Sequence, residues 1–231
     1  MKMKAILLAT ATVLAFPAAA AAQEGPTGSG NVAITTDYVW RGVSQTNENP
    51  AFQLGYDIAS DMFYVGTWAS NVDFGGDEQF EWDIYAGVKP TLGPVTFDFG
   101  VLGYLYPQDS NLNTWEVKAA GTVAAESGLA ATVSLFYSPE VGNDGPSSLY
   151  SELAVSAPIP GATIGPFSLS VGASVGNYAF DNPGVDYTNW KVGITAATES
   201  GWAIEAAYTD TDLDGVETAE GRGILTLKRT F

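Results

Sequence analysis

The stretch Phe80-Glu81-Trp82-Asp83-Ile84-Tyr85-Ala86-Gly87-Val88-Lys89 decides the fold. Phe80, Trp82, Ile84, Ala86 and Val88 occupy one parity; Glu81, Asp83, Tyr85, Gly87 and Lys89 occupy the other. Successive side chains of a strand point to opposite faces, so this segment reads as a strand with one apolar and one polar face.

The same rhythm recurs along the chain. Val32, Ile34, Thr36, Tyr38 and Trp40 alternate with Ala33, Thr35 and Asp37. Phe52, Leu54, Tyr56 and Ile58 alternate with Gln53, Gly55 and Asp57. Val95, Phe97, Phe99 and Val101 alternate with Thr96, Asp98 and Gly100, and Trp115, Val117 and Ala119 with Glu116 and Lys118. Segments 129–138, 148–158, 167–178, 189–198, 202–210 and 222–231 continue the pattern; 62–71 is strand-like with two similar faces. That makes twelve segments, most near ten residues. A tilted strand crosses a bilayer in about 9–11 residues, whereas strands of soluble domains average about 5–6.

The connections alternate in length. Long ones are expected at 41–50, 72–79, 106–113, 139–147, 179–188 and 211–221. Tight ones are expected at Ser60-Asp61, Thr91-Leu92-Gly93, Glu126-Ser127-Gly128 and Glu199-Ser200-Gly201, with 159–166 as a longer exception. Trp40, Trp82, Trp115, Trp190 and Trp202 stand near strand ends, as an interfacial aromatic girdle requires. The expected fold is all-β: an antiparallel up-and-down transmembrane β-barrel of about twelve strands, both termini periplasmic. A soluble β-sandwich also alternates, but it needs neither ten-residue strands nor alternating loop lengths.

The N-terminus reads as a cleaved secretory signal over residues 1–22. Lys2 and Lys4 precede an apolar run from Ala5 to Phe16, and Ala20-Ala21-Ala22 fits the cleavage motif. The alternative, an uncleaved anchor, has too short an apolar run to span a bilayer as a helix. Residues 23–231 then form a single barrel domain in the cell outer membrane. Losing Lys2 and Lys4 leaves seven of nine basic residues against 26 acidic ones, a net charge of −19. That charge excludes nucleic acid as a partner. Charged residues are only 15% of the chain while 46% is hydrophobic, the balance of a membrane barrel.

The chain has no histidine and no cysteine. Ser-His and thiol catalysis are therefore absent, as are the metal sites that lean on those ligands. Glu81 and Asp83 could in principle do acid–base work, but on one inward face they read as lumen wall, and no enzyme is expected. Parity places Asp37, Asp57, Glu81, Asp83, Asp98, Glu116, Glu152 and Glu205 inside, with Lys89, Lys118, Lys191 and Lys228, and Arg41 near the mouth. Eight acids against five bases imply a mild cation preference, and inward Gly55, Gly87, Gly100 and Gly193 leave room in the lumen. No cofactor is expected, with one open case. Asp210-Thr211-Asp212-Leu213-Asp214-Gly215 matches the start of a calcium loop, so the 210–220 segment is a candidate through Asp210, Asp212 and Asp214. Gly221 stands where the loop's last ligand should be, and the alternative is a solvated acidic loop.

Leu225, Leu227 and Phe231 share one face of the last strand, with Arg229 interrupting it. Such a strand with a terminal aromatic resembles the assembly signal read by the barrel-assembly machinery.

Three blocks resemble a known family: Thr35-Thr36-Asp37-Tyr38-Val39-Trp40-Arg41-Gly42-Val43-Ser44-Gln45-Thr46, then Tyr64-Val65-Gly66-Thr67-Trp68-Ala69-Ser70-Asn71-Val72-Asp73-Phe74, then Glu81-Trp82-Asp83-Ile84-Tyr85-Ala86-Gly87. They are similar to the TorF family of porins, proteobacterial outer-membrane β-barrels, over roughly residues 30–105. The resemblance implies a porin-like channel for passive diffusion of ions or small solutes, with outer-membrane lipids and lipopolysaccharide as surroundings. It carries no catalytic or binding residues. The alternative is a non-conducting barrel with a structural or loop-mediated binding role.

Overall fold

The computed structural model describes residues 25–181 and 186–231. The expected signal segment and its cleavage site lie outside the described residues. Alternation produces long strands wherever it is sustained: β1 (Thr27–Thr35), β2 (Ala51–Ser60), β3 (Phe63–Asn71), β4 (Phe80–Val88), β5 (Val95–Leu105) and β6 (Thr114–Ala124) in the first half. The second half holds β7 (Ala130–Ser138), β8 (Ser148–Ile164), β9 (Phe167–Phe180), β10 (Tyr187–Ala197), β11 (Trp202–Thr211) and β12 (Arg222–Thr230).

Each strand pairs antiparallel with the next, and β12 returns to β1 with Thr230 opposite Asn31 and Thr226 opposite Thr35. The result, among the described residues, is a closed antiparallel barrel of twelve strands. Closure pairs every strand on both sides and leaves no edge exposed.

The register puts the apolar face outward. Ile34, Phe52, Val133 and Leu225 each keep more than half of their surface exposed. Water would tolerate no such continuous apolar belt, whereas hydrocarbon is its natural solvent. Trp82, Trp115, Trp190 and Trp202 face outward and half-exposed, as girdle residues do. Long loops gather at one end of the barrel, the loop end. Tight turns gather at the other, the turn end, which also carries the start of β1 and the end of β12.

Two expectations need correction. Residues 159–166 are not a long loop. β8 continues to Ile164 through a register shift between Pro158 and Thr163, and only Gly165-Pro166 separates it from β9. Pro158 and Pro160 cannot donate to a ladder, so they read as loop in sequence; a bulge at the rim accommodates them. The alternation from Val32 to Trp40 is also not one strand. β1 stops at Thr35, and the chain turns into the lumen.

Closure is tight at the C-terminus. The Gly30 N–H donates to the Phe231 carbonyl at 2.8 Å, and the Phe231 N–H donates to the Gly30 carbonyl at 3.0 Å. The Phe231 ring lies where a side chain at residue 30 would project. Leu225 and Leu227 face outward, and Arg229 sets its guanidinium 5.5 Å from the Trp202 ring centre at the turn end. A cation at that rim reaches polar surroundings at little cost.

Candidate functional site: a first long loop folded into the lumen

The first long loop folds into the barrel. Residues 37–38 and 40–46 are buried, and Val39–Trp40 pairs with Val43–Ser44 as a short hairpin. Arg41 and Gly42 form its tip at φ 47° and 83°. Two successive residues with positive φ make a tight hairpin turn. A Cβ on Gly42 would lie 2.7 Å from the Asn189 Cβ, so the tip sits hard against β10. Trp40, expected in the girdle, is instead 1% exposed inside the lumen.

Arg41 is the centre of this plug. Its Nη2 donates to Glu116 Oε2 at 2.9 Å, and Tyr104 Oη donates to the same oxygen at 2.9 Å. The guanidinium carbon lies 4.1 Å from the Tyr150 ring centre, 4.3 Å from Trp40, 4.6 Å from Tyr178 and 5.2 Å from Phe136. Nε and Nη1 are buried without a hydrogen-bond partner. Away from water, each such cation–π contact contributes up to about 2 kcal/mol.

A second anchor holds the hairpin's base. Asp37 accepts from Ser44 Oγ at 2.6 Å and from Arg222 Nη1 at 3.1 Å. Arg222 also meets Glu48 at 3.0 Å, so loop and last strand are clasped together. Beside the plug, Glu81 accepts from Tyr38 Oη at 2.9 Å and Tyr106 Oη at 2.8 Å. Asp83 is buried next to it, its Oδ1 without a partner. Glu81, Asp83 and Glu116 thus lie under a hairpin that supplies one cation.

The half of the lumen toward the turn end differs. Asp98 pairs with Lys118 Nζ at 2.7 Å and Lys89 Nζ at 3.8 Å, and accepts from Tyr64 Oη at 2.7 Å. Glu205 pairs with Lys191 at 2.9 Å, and Asp57 accepts from Tyr85 Oη at 2.7 Å. Lys228 is within electrostatic reach of Asp57 and Glu205, and Glu152 accepts from Tyr150 Oη at 3.2 Å. Asp98–Lys118 and Lys191–Glu205 join neighbouring strands, so these charges pair along the wall. The room expected at Gly87 and Gly100 is taken by the Tyr64 ring, and that at Gly55 by Asn31 and Trp68. Gly193 faces the small side chain of Ala207.

The 210–220 loop does not gather its carboxylates. Asp210 accepts from the Thr211 N–H and Asp212 from the Thr188 N–H of β10 at 2.7 Å. Among the described residues no three acidic, histidine or cysteine side chains converge as a metal site. Asp212 acts here as a clamp between the loop and the adjacent strand.

Parity names the charged residues described above but leaves out several others that contact the hairpin. Arg222 shares its parity with Lys228, and Tyr104 shares its parity with Asp98, so alternation alone finds them. Tyr150 and Tyr178 likewise follow from Glu152 and Gly176. No periodic signal announces that 37–46 turns inward.

The geometry defines a class: a closed twelve-stranded barrel with an apolar exterior and a first long loop folded into its lumen. The chain belongs to Gcw_chp, a family described as bacterial protein of unknown function, whose model matches residues 19–231. No curated protein matches it. The fold is similar to that of the solved KdgM porin, with a TM-score of 0.62 at 7% identity over 88% of this chain and 99% of that one. KdgM porin in complex with disordered oligogalacturonate gives 0.61 at 6% identity over 89% and 99%. The NanC porin gives 0.55 at 10% identity, again over 89% and 99%. At such identities the likeness is one of fold.

Proposed function

We propose that this chain is an outer-membrane porin-like channel for passive diffusion of ions or small solutes, and that its first loop gates it. The apolar belt faces outer-membrane lipids and lipopolysaccharide, the long loops face the exterior, and both termini lie in the periplasm. The strand ending in Phe231 is offered to the assembly machinery. The TorF resemblance and the porin-like fold support the same reading.

The observation that carries it is the wall. Toward the turn end, oppositely charged partners sit on neighbouring strands and keep to the wall, which suits a hydrated path. Four acids (Asp57, Asp98, Glu152, Glu205) face four lysines there, so that half is balanced. The acidic excess lies at the loop end, in Asp37, Glu81, Asp83 and Glu116 against Arg41 and Arg222. Once the hairpin withdraws, that excess gives a mild cation preference. A polyanion such as the oligogalacturonate of the KdgM complex does not suit this mouth. Without histidine or cysteine, the lumen lacks the Ser-His and thiol groups on which barrel hydrolases rely.

The buried hairpin favours one other reading, a non-conducting barrel with a structural role. Planar-bilayer recording separates the two. The channel reading expects infrequent, cation-selective openings from the full chain and frequent ones after residues 39–44 are replaced by a short flexible turn. Silence from both proteins, each shown folded by heat-modifiable migration, would reject it.

A further inference from the structure

We propose that the Arg41 cage is a binding site for small guanidinium-bearing solutes, and that Arg41 occupies it as an internal stand-in. This deepens the channel reading and rests on it for access from the exterior.

Most of the cage belongs to the wall and stays when the hairpin leaves. Phe136, Tyr150 and Tyr178 project from β7, β8 and β9, and Glu116 from β6. Tyr104 holds the Glu116 carboxylate from the side by a 2.9 Å hydrogen bond. Only Trp40 and Arg41 would depart. What remains is a carboxylate facing aromatic rings with its cation removed, and that site needs another cation.

The chemistry selects the kind. Aromatic faces attract cations, and a planar, weakly hydrated guanidinium stacks on them while still donating to a carboxylate. A compact ammonium or alkali ion holds its water more firmly and gains less from the rings. The seated guanidinium shows both contacts at once: 4.1 Å from the Tyr150 ring centre and 2.9 Å from Glu116 Oε2. Its occupant is also imperfectly held, since Nε and Nη1 find no acceptor and Arg41 itself adopts φ 47°. A free solute has no backbone to strain.

Two measurements test this, with methylguanidinium as probe and methylammonium as control at equal ionic strength. Calorimetry on refolded Arg41→Ala should show saturable methylguanidinium binding at least tenfold tighter than methylammonium (~1.4 kcal/mol). Adding Glu116→Gln should abolish that preference. The second measurement keeps Arg41 in place. Val43→Cys places a single thiol on the buried hairpin of a chain that otherwise has none. Methylguanidinium should displace the hairpin and speed thiol labelling severalfold over methylammonium. Equal labelling in the two salts, or equal binding by folded Arg41→Ala, would overturn the proposal. Bilayer currents distinguish the two failures: binding without current removes the channel reading and leaves the cage, whereas current without selective binding removes the cage alone.

Discussion

Arg41 and Glu116 stand 75 residues apart in sequence, yet they meet at 2.9 Å with side chains only 2% and 1% exposed. The pair ties the first long loop to the wall at β6 and holds the hairpin inside the barrel. Breaking one side of a buried pair strands the other charge, at a cost of about 3–5 kcal/mol. Arg41→Ala should therefore loosen the plug while leaving the strand ladder intact. Bilayer recordings should show a large rise in open probability, and the barrel's circular dichroism should be unchanged. Glu116→Gln in the same background should recover part of the lost stability, because no bare carboxylate remains.

Gly42 sets the plug's depth. A β-branched side chain there meets the Asn189 Cβ and is forced to φ 83°, which disfavours the seated turn by about 1–3 kcal/mol. Gly42→Val should expose the hairpin to protease in intact cells, where the parent protein resists. Equal resistance would show that the hairpin is not held by its tip.

Asp98 neutralises two lysines in the half toward the turn end. Asp98→Asn should leave Lys89 and Lys118 unbalanced without disturbing the hairpin. In a background with residues 39–44 replaced, the reversal potential in a salt gradient should move toward anion selectivity. An unmoved potential would mean that this half of the lumen does not set selectivity.

Phe231 closes the seam through two hydrogen bonds with Gly30 and a ring laid over it. Deleting Phe231 should reduce the folded, heat-modifiable barrel recovered from outer membranes severalfold. Gly30→Ala should weaken the same seam more mildly, since the ring can shift. Loss from the second variant greater than from the first would put the seam's strength elsewhere.

Much of this molecule was legible in its alternation. Because a strand's side chains point to opposite faces with a period of two, the sequence alone separated an apolar from a polar face in most of the long strands. It also determined the number of long strands and the two classes of connection. Phe80 to Val88 show this directly, since Glu81 and Asp83 are buried inward while Trp82 stands in the girdle. What followed from tertiary structure alone was the state of the lumen. Periodicity carries no information about where a loop goes once the strand ends, and Val32 to Trp40 kept the rhythm past the point where β1 stops. The inward turn is stabilised by partners distant in sequence, Glu116, Tyr150, Tyr178 and Arg222, which only barrel closure brings around one axis. Strand pattern is a local property of side-chain spacing, whereas the seating of the hairpin depends on which distant charges and rings the closed sheet brings together.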